Sequence, residues 1–148
     1  METEAMRGLV EAVWAAFASR NAEVIAHHFA DDAEWIAPPG NGTALALGAP
    51  DGLVGAGAIA QFIAADMHRL FVDVHTEIRG IYADGDTAVV EMRLTSPLPN
   101  GARYENDYCF VFTARDGRIT RMREYMDTLG GHRQLFADGH PLETRQRR

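Results

Sequence analysis

An α+β fold, with helices first and a mostly antiparallel sheet after them, follows from three features of this 148-residue chain. Apolar residues recur at helical spacing in the early part. From about residue 71 the pattern turns strand-like, rich in β-branched and aromatic side chains. Short turn signals separate the strand-like runs, at Ala83-Asp84-Gly85-Asp86, Ser96–Gly101 and Arg115-Asp116-Gly117, and connections that short join neighbours antiparallel. Helix runs followed by strand runs define the α+β class. Three helices on one side of a strongly twisted, curling sheet leave a cone-shaped pocket between them.

The first helix is expected over residues 4–19, capped by Thr3, with Met6, Leu9, Val10, Val13, Trp14 and Phe17 on one face. Arg20-Asn21 interrupts it, and Asn21 can cap a second helix over 22–30. A short strand follows around Trp35 and Ile36. Residues 38–57 are rich in Gly and Pro and read as a structureless connection, either a flap over a cavity mouth or a plain surface excursion. A third helix covers 57–69, with Ile59, Phe62, Ile63, Met67 and Leu70 buried. Strands are expected over 71–82, 87–95, 102–113 and 118–127, then a short helix over 129–137 weakened by Gly130-Gly131. Residues 1–137 thus form one domain and 138–148 a polar tail, in which Arg145, Arg147 and Arg148 are solvated.

Composition narrows the partners. The apolar fraction of 47% and charged fraction of 24% are those of an ordinary globular protein. Net charge is −7, which argues against a nucleic-acid partner, since such affinity comes mostly from basic patches on phosphates. Cys109 is the only cysteine, so neither an internal disulfide nor a cysteine-based zinc site is expected, and the composition suits the reducing cytoplasm. The N-terminus lacks the basic-then-apolar order of a signal peptide. No apolar run approaches the ~18 residues of a membrane span. The six histidines show no ligand spacing, so no metal is expected.

Chemistry concentrates on the last strand. Alternation puts Arg121, Arg123, Tyr125 and Asp127 on one face and Met122, Glu124 and Met126 on the other. A carboxylate between two thioethers on an apolar face must pair, raise its pKa or line a cavity. A static ion pair with an arginine of a neighbouring strand is the plainer reading. In the 87–95 strand, Glu91 and Arg93 share a face. They join Glu124 in an acid–base–acid cluster if that face turns inward, or sit in solvent if it does not. In the 102–113 strand, Tyr104, Asn106, Tyr108, Phe110 and Phe112 share an aromatic face that must be buried. Asn106 and Tyr108 there either hydrogen-bond a ligand oxygen or satisfy each other and the backbone.

Three stretches carry a resemblance: Phe29-Ala30-Asp31-Asp32-Ala33-Glu34-Trp35; Tyr104-Glu105-Asn106-Asp107-Tyr108 with Asp116-Gly117-Arg118-Ile119; and Arg123-Glu124-Tyr125-Met126-Asp127. With them the chain resembles the nuclear transport factor 2-like, or cystatin-like α+β cone, superfamily over about residues 5–137. That superfamily includes ketosteroid isomerase, limonene-1,2-epoxide hydrolase, the SnoaL polyketide cyclases and the phenazine-biosynthesis A/B proteins, the last being nearest in motif. The resemblance implies that Glu124 is the pocket acid, matching a proposed acid of the phenazine-type proteins and an aspartate of the epoxide hydrolase. The hydrolase's arginine and aspartate, two apart, correspond to Glu91 and Arg93 in reversed order. Other family residues are missing here. The isomerase's shuttling aspartate falls at Ala37, its oxyanion acid at Tyr108 and its oxyanion tyrosine near Val13 or Trp14. The hydrolase's tyrosine and asparagine fall at Trp35 and Ala37.

The expected function is a cytoplasmic, cofactor-free enzyme of the SnoaL-like type, isomerising, cyclising or condensing an apolar carbonyl-bearing metabolite. Glu124 is its general acid or base, tuned by Arg93 and Glu91. Tyr108 and Asn106 hold the substrate oxygen, and Trp35, Trp14, Met122, Met126 and Phe110 form the apolar wall. The alternatives are an epoxide or ester hydrolase using the same charged cluster, and a non-catalytic ligand-binding domain. The resemblance also implies a homodimer through the outer face of the sheet, where Glu105, Asp107, Cys109 and Val111 are compatible.

Overall fold

A computed structural model describes residues 1–137 and 140–145. Helix α1 (Thr3–Ser19) buries Met6, Val10, Val13 and Ala16, the stripe its spacing requires. Thr3 does not cap it. Its hydroxyl instead accepts the Gly85 N–H at 3.0 Å, tying the helix start to a hairpin tip. Helix α2 (Ala22–His27) is capped by Asn21, whose side chain accepts from Val24 N–H, and it stops short of the expected residue 30. Phe29 and Ala30 are instead the first residues of strand β1 (Phe29–Ile36). Tertiary pairing overrides helix propensity here: Ile119 N–H donates to His28 O at 2.8 Å, and Phe29 is only 1% exposed.

The Gly- and Pro-rich segment is not structureless. It holds helix α3 (Gly42–Leu47) and edge strand β2 (Gly52–Val54). Asn41-Gly42, which reads as a turn, is an N-cap and the first helical residue: Asn41 Oδ1 accepts from Ala44 N–H at 3.0 Å. Gly48 ends α3 in the left-handed region at φ 65°, a conformation that costs glycine little. Helix α4 (Ala56–Ala64) and a 3-10 turn (Asp66–Arg69) follow.

Strand β3 (His75–Asp84) starts later than expected, because Leu70 and Phe71 are drawn into the core. Strands β4 (Thr87–Pro97), β5 (Arg103–Arg115) and β6 (Arg118–Met126) complete the sheet, whose order is β2-β1-β6-β5-β4-β3. Every pairing is antiparallel except β1 with β6. The β5–β6 turn places Asp116 and Gly117 at φ 53° and 79°, the pair of left-handed residues a tight hairpin needs. Helix α5 (Thr128–Leu135), capped by Asp127, packs against α3 and β5.

Part of the expected tail is folded: Phe136–Ala137 pairs with His140–Pro141, and Arg145 N–H donates to Arg69 O at 2.8 Å. Arg145 itself is exposed, and Arg147 and Arg148 lie outside the described residues. No helix among the described residues is long and apolar enough to cross a membrane.

Candidate functional site

The inner face of the sheet and the helices enclose a cavity of about 380 Å³. Strand alternation builds its floor. Phe110 lies directly opposite Glu124 in the β5–β6 ladder, Tyr108 opposite Met126, and Phe112 opposite Met122. All of these project to the inner side, where odd-numbered neighbours such as Cys109 and Arg123 cannot follow. Trp35 of β1 stands beside Met122 and packs edge-on against Phe62 of α4, ring centres 5.1 Å apart. Trp14 of α1 meets Phe110 edge-on at 5.4 Å. Glu124, Tyr108, Trp35, Trp14, Met122, Met126 and Phe110 therefore all line one space.

Glu124 is 8% exposed, and no arginine among the described residues forms an ion pair with it. Burial without a counter-charge disfavours the carboxylate and pushes its pKa from the ordinary 4.5 up to about 8. The indole N–H of Trp35 pulls weakly the other way. It stands beside the carboxyl group, yet by distance and angle it makes no hydrogen bond and remains a buried donor without a partner. The group is thus mainly a neutral acid at neutral pH, in reach of a second donor.

Two expected members of the site are elsewhere. Arg93 and Glu91 project from the opposite face of β4, because Val90, Met92 and Leu94 take the inward positions. Arg93 donates to Asp107 Oδ1 at 2.9 Å and to Glu105 Oε2 at 3.0 Å, all on the outer face. The acid–base–acid cluster does not form, and Glu124 is not tuned by Arg93. The reason is the cost of burial: Glu91, Arg93, Glu105 and Asp107 keep contact with water on one face, and Glu124 is the buried carboxyl among the described residues on the other.

Asn106 is inward and buried but does not line the cavity. Its amide is occupied by protein: Oδ1 accepts Asp107 N–H at 2.9 Å, and Nδ2 donates to Asp127 O at 3.1 Å and to Tyr104 Oη at 3.0 Å. Tyr108 Oη lies 2.7 Å from Tyr104 Oη. Burial, before any other cause, raises both phenol pKa values, and the nearby Glu124 charge adds to this.

His68, on the 3-10 turn, is a cavity residue the sequence pattern did not single out. Its Nε2 lies 3.1 Å from Ile63 O, its Nδ1 is buried without a hydrogen bond, and burial followed by the Arg20 charge lowers its pKa. A lone histidine in a turn gives no periodicity signal that could have marked it. Among the described residues, no three His, Cys, Asp or Glu side chains gather to hold a metal.

A layer of helices over a curved sheet, with a buried acid that has no ion-pair partner among the described residues on the floor of an apolar cavity, places the chain in the α+β cone class. The SnoaL-like domain model matches residues 10–122, and the chain belongs to that family. Among solved structures, an NTF2-like protein of Burkholderia xenovorans superposes with TM-score 0.74 at 23% identity, covering 90% of this chain and 98% of that one. TerC, co-crystallised with polyporic acid, gives 0.76 at 25% identity over 88% and 97%. A protein of Jannaschia assigned as a SnoaL-like polyketide cyclase gives 0.69 at 17% over 86% and 88%. These likenesses establish the NTF2-like fold. No curated protein matches the chain by sequence.

Proposed function

We propose that the protein is a cofactor-free enzyme in which Glu124 is a general acid toward an apolar, carbonyl-bearing small molecule. The observation that carries this reading is Glu124 itself: of the carboxyl groups lining the cavity among the described residues, which include Asp51 and Asp73, it alone is buried, and burial lifts its pKa to about 8. A catalytic acid is most effective when its pKa lies near the working pH. In one course an enol carbon of the substrate attacks a carbonyl carbon: the C–C bond forms as the C=O π bond breaks, and the enol hydroxyl's proton passes to the carboxylate that Glu124 leaves behind. In the other, that carboxylate takes the proton from the carbon beside the protonated carbonyl and returns it to another carbon of the enol. In either case the developing oxyanion takes the Glu124 proton, and the outcome is cyclisation, condensation or isomerisation. Tyr108 donates to the same oxygen, and Trp14, Trp35, Phe110, Met122 and Met126 exclude water. TerC, which shares the fold, was co-crystallised with polyporic acid, and this supports reading the cavity as one for an organic guest. The hydrolase alternative needed Arg93 and Glu91 beside Glu124, and they are on the other face.

The deciding experiment is Glu124→Gln, screened with wild type against enolisable aromatic ketones and diketones. Loss of turnover with retained fold is expected. Equal turnover by the variant overturns the assignment, and tight binding with no turnover by wild type favours the non-catalytic binding domain. The proposal includes a homodimer through the outer sheet face, where Tyr82 and Tyr125 are 57% and 51% exposed. Light scattering that shows only monomer at high concentration overturns that part.

A further inference from the structure

The hydrogen atoms of the Asn106–Tyr104–Tyr108 chain can be placed one by one. A backbone N–H can only donate, so the Asp107 N–H fixes Asn106 Oδ1 as the acceptor and the amide cannot be flipped. Asn106 Nδ2 then holds both amide hydrogens. One goes to the Asp127 carbonyl, which can only accept, and the other to Tyr104 Oη. Tyr104 is fully buried, and Tyr108 Oη is the only acceptor for its hydroxyl among the described residues. If Tyr108 donated to Tyr104 instead, the Tyr104 hydrogen would be sealed in the core without a partner, at a cost of about 1–3 kcal/mol. In the opposite direction every buried hydrogen is used. The one left over belongs to Tyr108, whose side chain lines the cavity. Its hydroxyl has no acceptor other than Tyr104 Oη in the hydrogen bonds of the described residues, since the neighbouring Asn106 Nδ2 only donates.

We propose that Asn106 and Tyr104 are positioning residues in a one-way hydrogen-bond relay that holds the Tyr108 hydroxyl as a donor into the cavity, so that the ligand atom beside it is an oxygen with no hydrogen of its own to give. The class selected is a carbonyl or enolate, in preference to a matched hydrocarbon; an alcohol can accept the same bond, but its own hydrogen must be turned away from the two donors. This deepens the general-acid reading and rests on it, since Glu124 on the adjacent strand supplies the second donor to the same oxygen. It also reassigns Asn106, which acts two hydrogen bonds away from the ligand. The relay is cooperative, because a hydroxyl that accepts a hydrogen bond becomes a better donor. Its packing explains a glycine: a Cβ on Gly131 of α5 would come within 3.1 Å of Asn106 Nδ2 and 3.3 Å of Tyr104 Oη.

The test uses full-length protein and three probes of one shape: 2-acetylnaphthalene, 1-(2-naphthyl)ethanol and 2-ethylnaphthalene. Calorimetry gives their dissociation constants, and infrared spectroscopy of the carbon-13-labelled ketone reads hydrogen bonding at its oxygen directly. Wild type should prefer the ketone to the hydrocarbon by about tenfold, the worth of one good hydrogen bond, and the alcohol should fall between them. Tyr108→Phe should remove part of that preference, the Glu124 donor keeping the rest. Tyr104→Phe should cut it a few-fold and raise the bound carbonyl stretch, with hydrocarbon affinity unchanged, a pattern that general loosening of the core would not produce. An identical ketone preference and stretch in folded Tyr104→Phe overturns the relay while leaving the Glu124 reading intact. A bound stretch in wild type equal to that in hexane overturns it however the variants fold. If wild type binds none of the three, the pocket reading fails and the relay with it.

Discussion

The two faces of the β4–β5–β6 sheet carry the same kinds of residue and treat them oppositely. On the outer face Glu105 accepts from Arg93 at 3.0 Å and from Arg103 at 2.8 Å, and these hydrogen bonds, Arg103's first, lower its pKa. On the inner face Glu124 has no cation, and burial raises its pKa to about 8. One carboxylate is redundant in a network open to water, and the other is buried without a counter-charge among the described residues. Exposed ion pairs contribute little to stability and bind nothing else. An isolated buried acid is costly to ionise, so it holds its proton into the neutral range. Solvent access, not residue type, separates the two carboxyl groups.

The strongest way to break this contrast is Glu124→Gln. As a general acid Glu124 accounts for about 10²–10⁴-fold in rate, so turnover of a responsive ketone should fall by that order. Stability should move the other way. The folded protein holds a proton that the unfolded chain releases above its ordinary pKa of 4.5, so wild-type stability falls as pH rises from about 4.5 and levels off above about 8. Gln has no such proton. The variant should therefore be the more stable protein at pH 8, by roughly 2–4 kcal/mol. Its urea midpoint should lack that fall, keeping only the rise that His68 and His28, with their lowered pKa values, give as pH climbs through the histidine range. A wild-type midpoint that does not fall between pH 5 and 8 would show Glu124 to be ionised in the folded state.

The pH dependence of activity sharpens the same point. With an acid of pKa about 8, kcat/KM should be level below pH 7 and decline above pH 8. The Trp35 N–H lowers that pKa, so Trp35→Phe should shift the decline to higher pH, by less than one unit, while the edge-on packing on Phe62 is kept. A rate that instead climbs through pH 8 would assign Glu124 the part of a base.

Much of this was legible before any coordinates. Period-two alternation put Glu124 inward with Met122, and collected Tyr104 through Phe112 on one buried face, because a strand leaves no other choice. Alternation cannot say which of two faces is covered when both carry charge and apolar residues. That is why Arg93 and Glu91 read equally well as wall or as surface. Their ladder partners decide it: Arg93 sits opposite Asp107 and Glu91 opposite Cys109, all on the side away from the helices. Helix α3 was hidden for a different reason. Its signal is six residues long, and Asn41-Gly42 serves a turn and an N-cap equally. Gly130-Gly131 read as a defect in α5, yet at Gly131 the helix has to lie close over Asn106 and Tyr104. His68 had no pattern at all, since a 3-10 turn of four residues has no repeating face.

The smallest expected effect tests the comparison from its other side. Arg93→Gln removes the centre of the outer network, where Asp107 also accepts from Arg79 at 3.3 Å and Glu105 from Arg103. Both acids keep a second arginine and stay in contact with water, so neither is stranded. Thermal melting should shift only slightly, and the shift should shrink as salt is added, because exposed pairs are screened over a Debye length of about 10 Å at 0.1 M. Turnover and its pH profile should be those of wild type. A loss of activity in Arg93→Gln comparable to that in Glu124→Gln would mean that the outer network reaches the cavity through the sheet. The two faces would then be one electrostatic unit, and solvent access alone would not account for their difference.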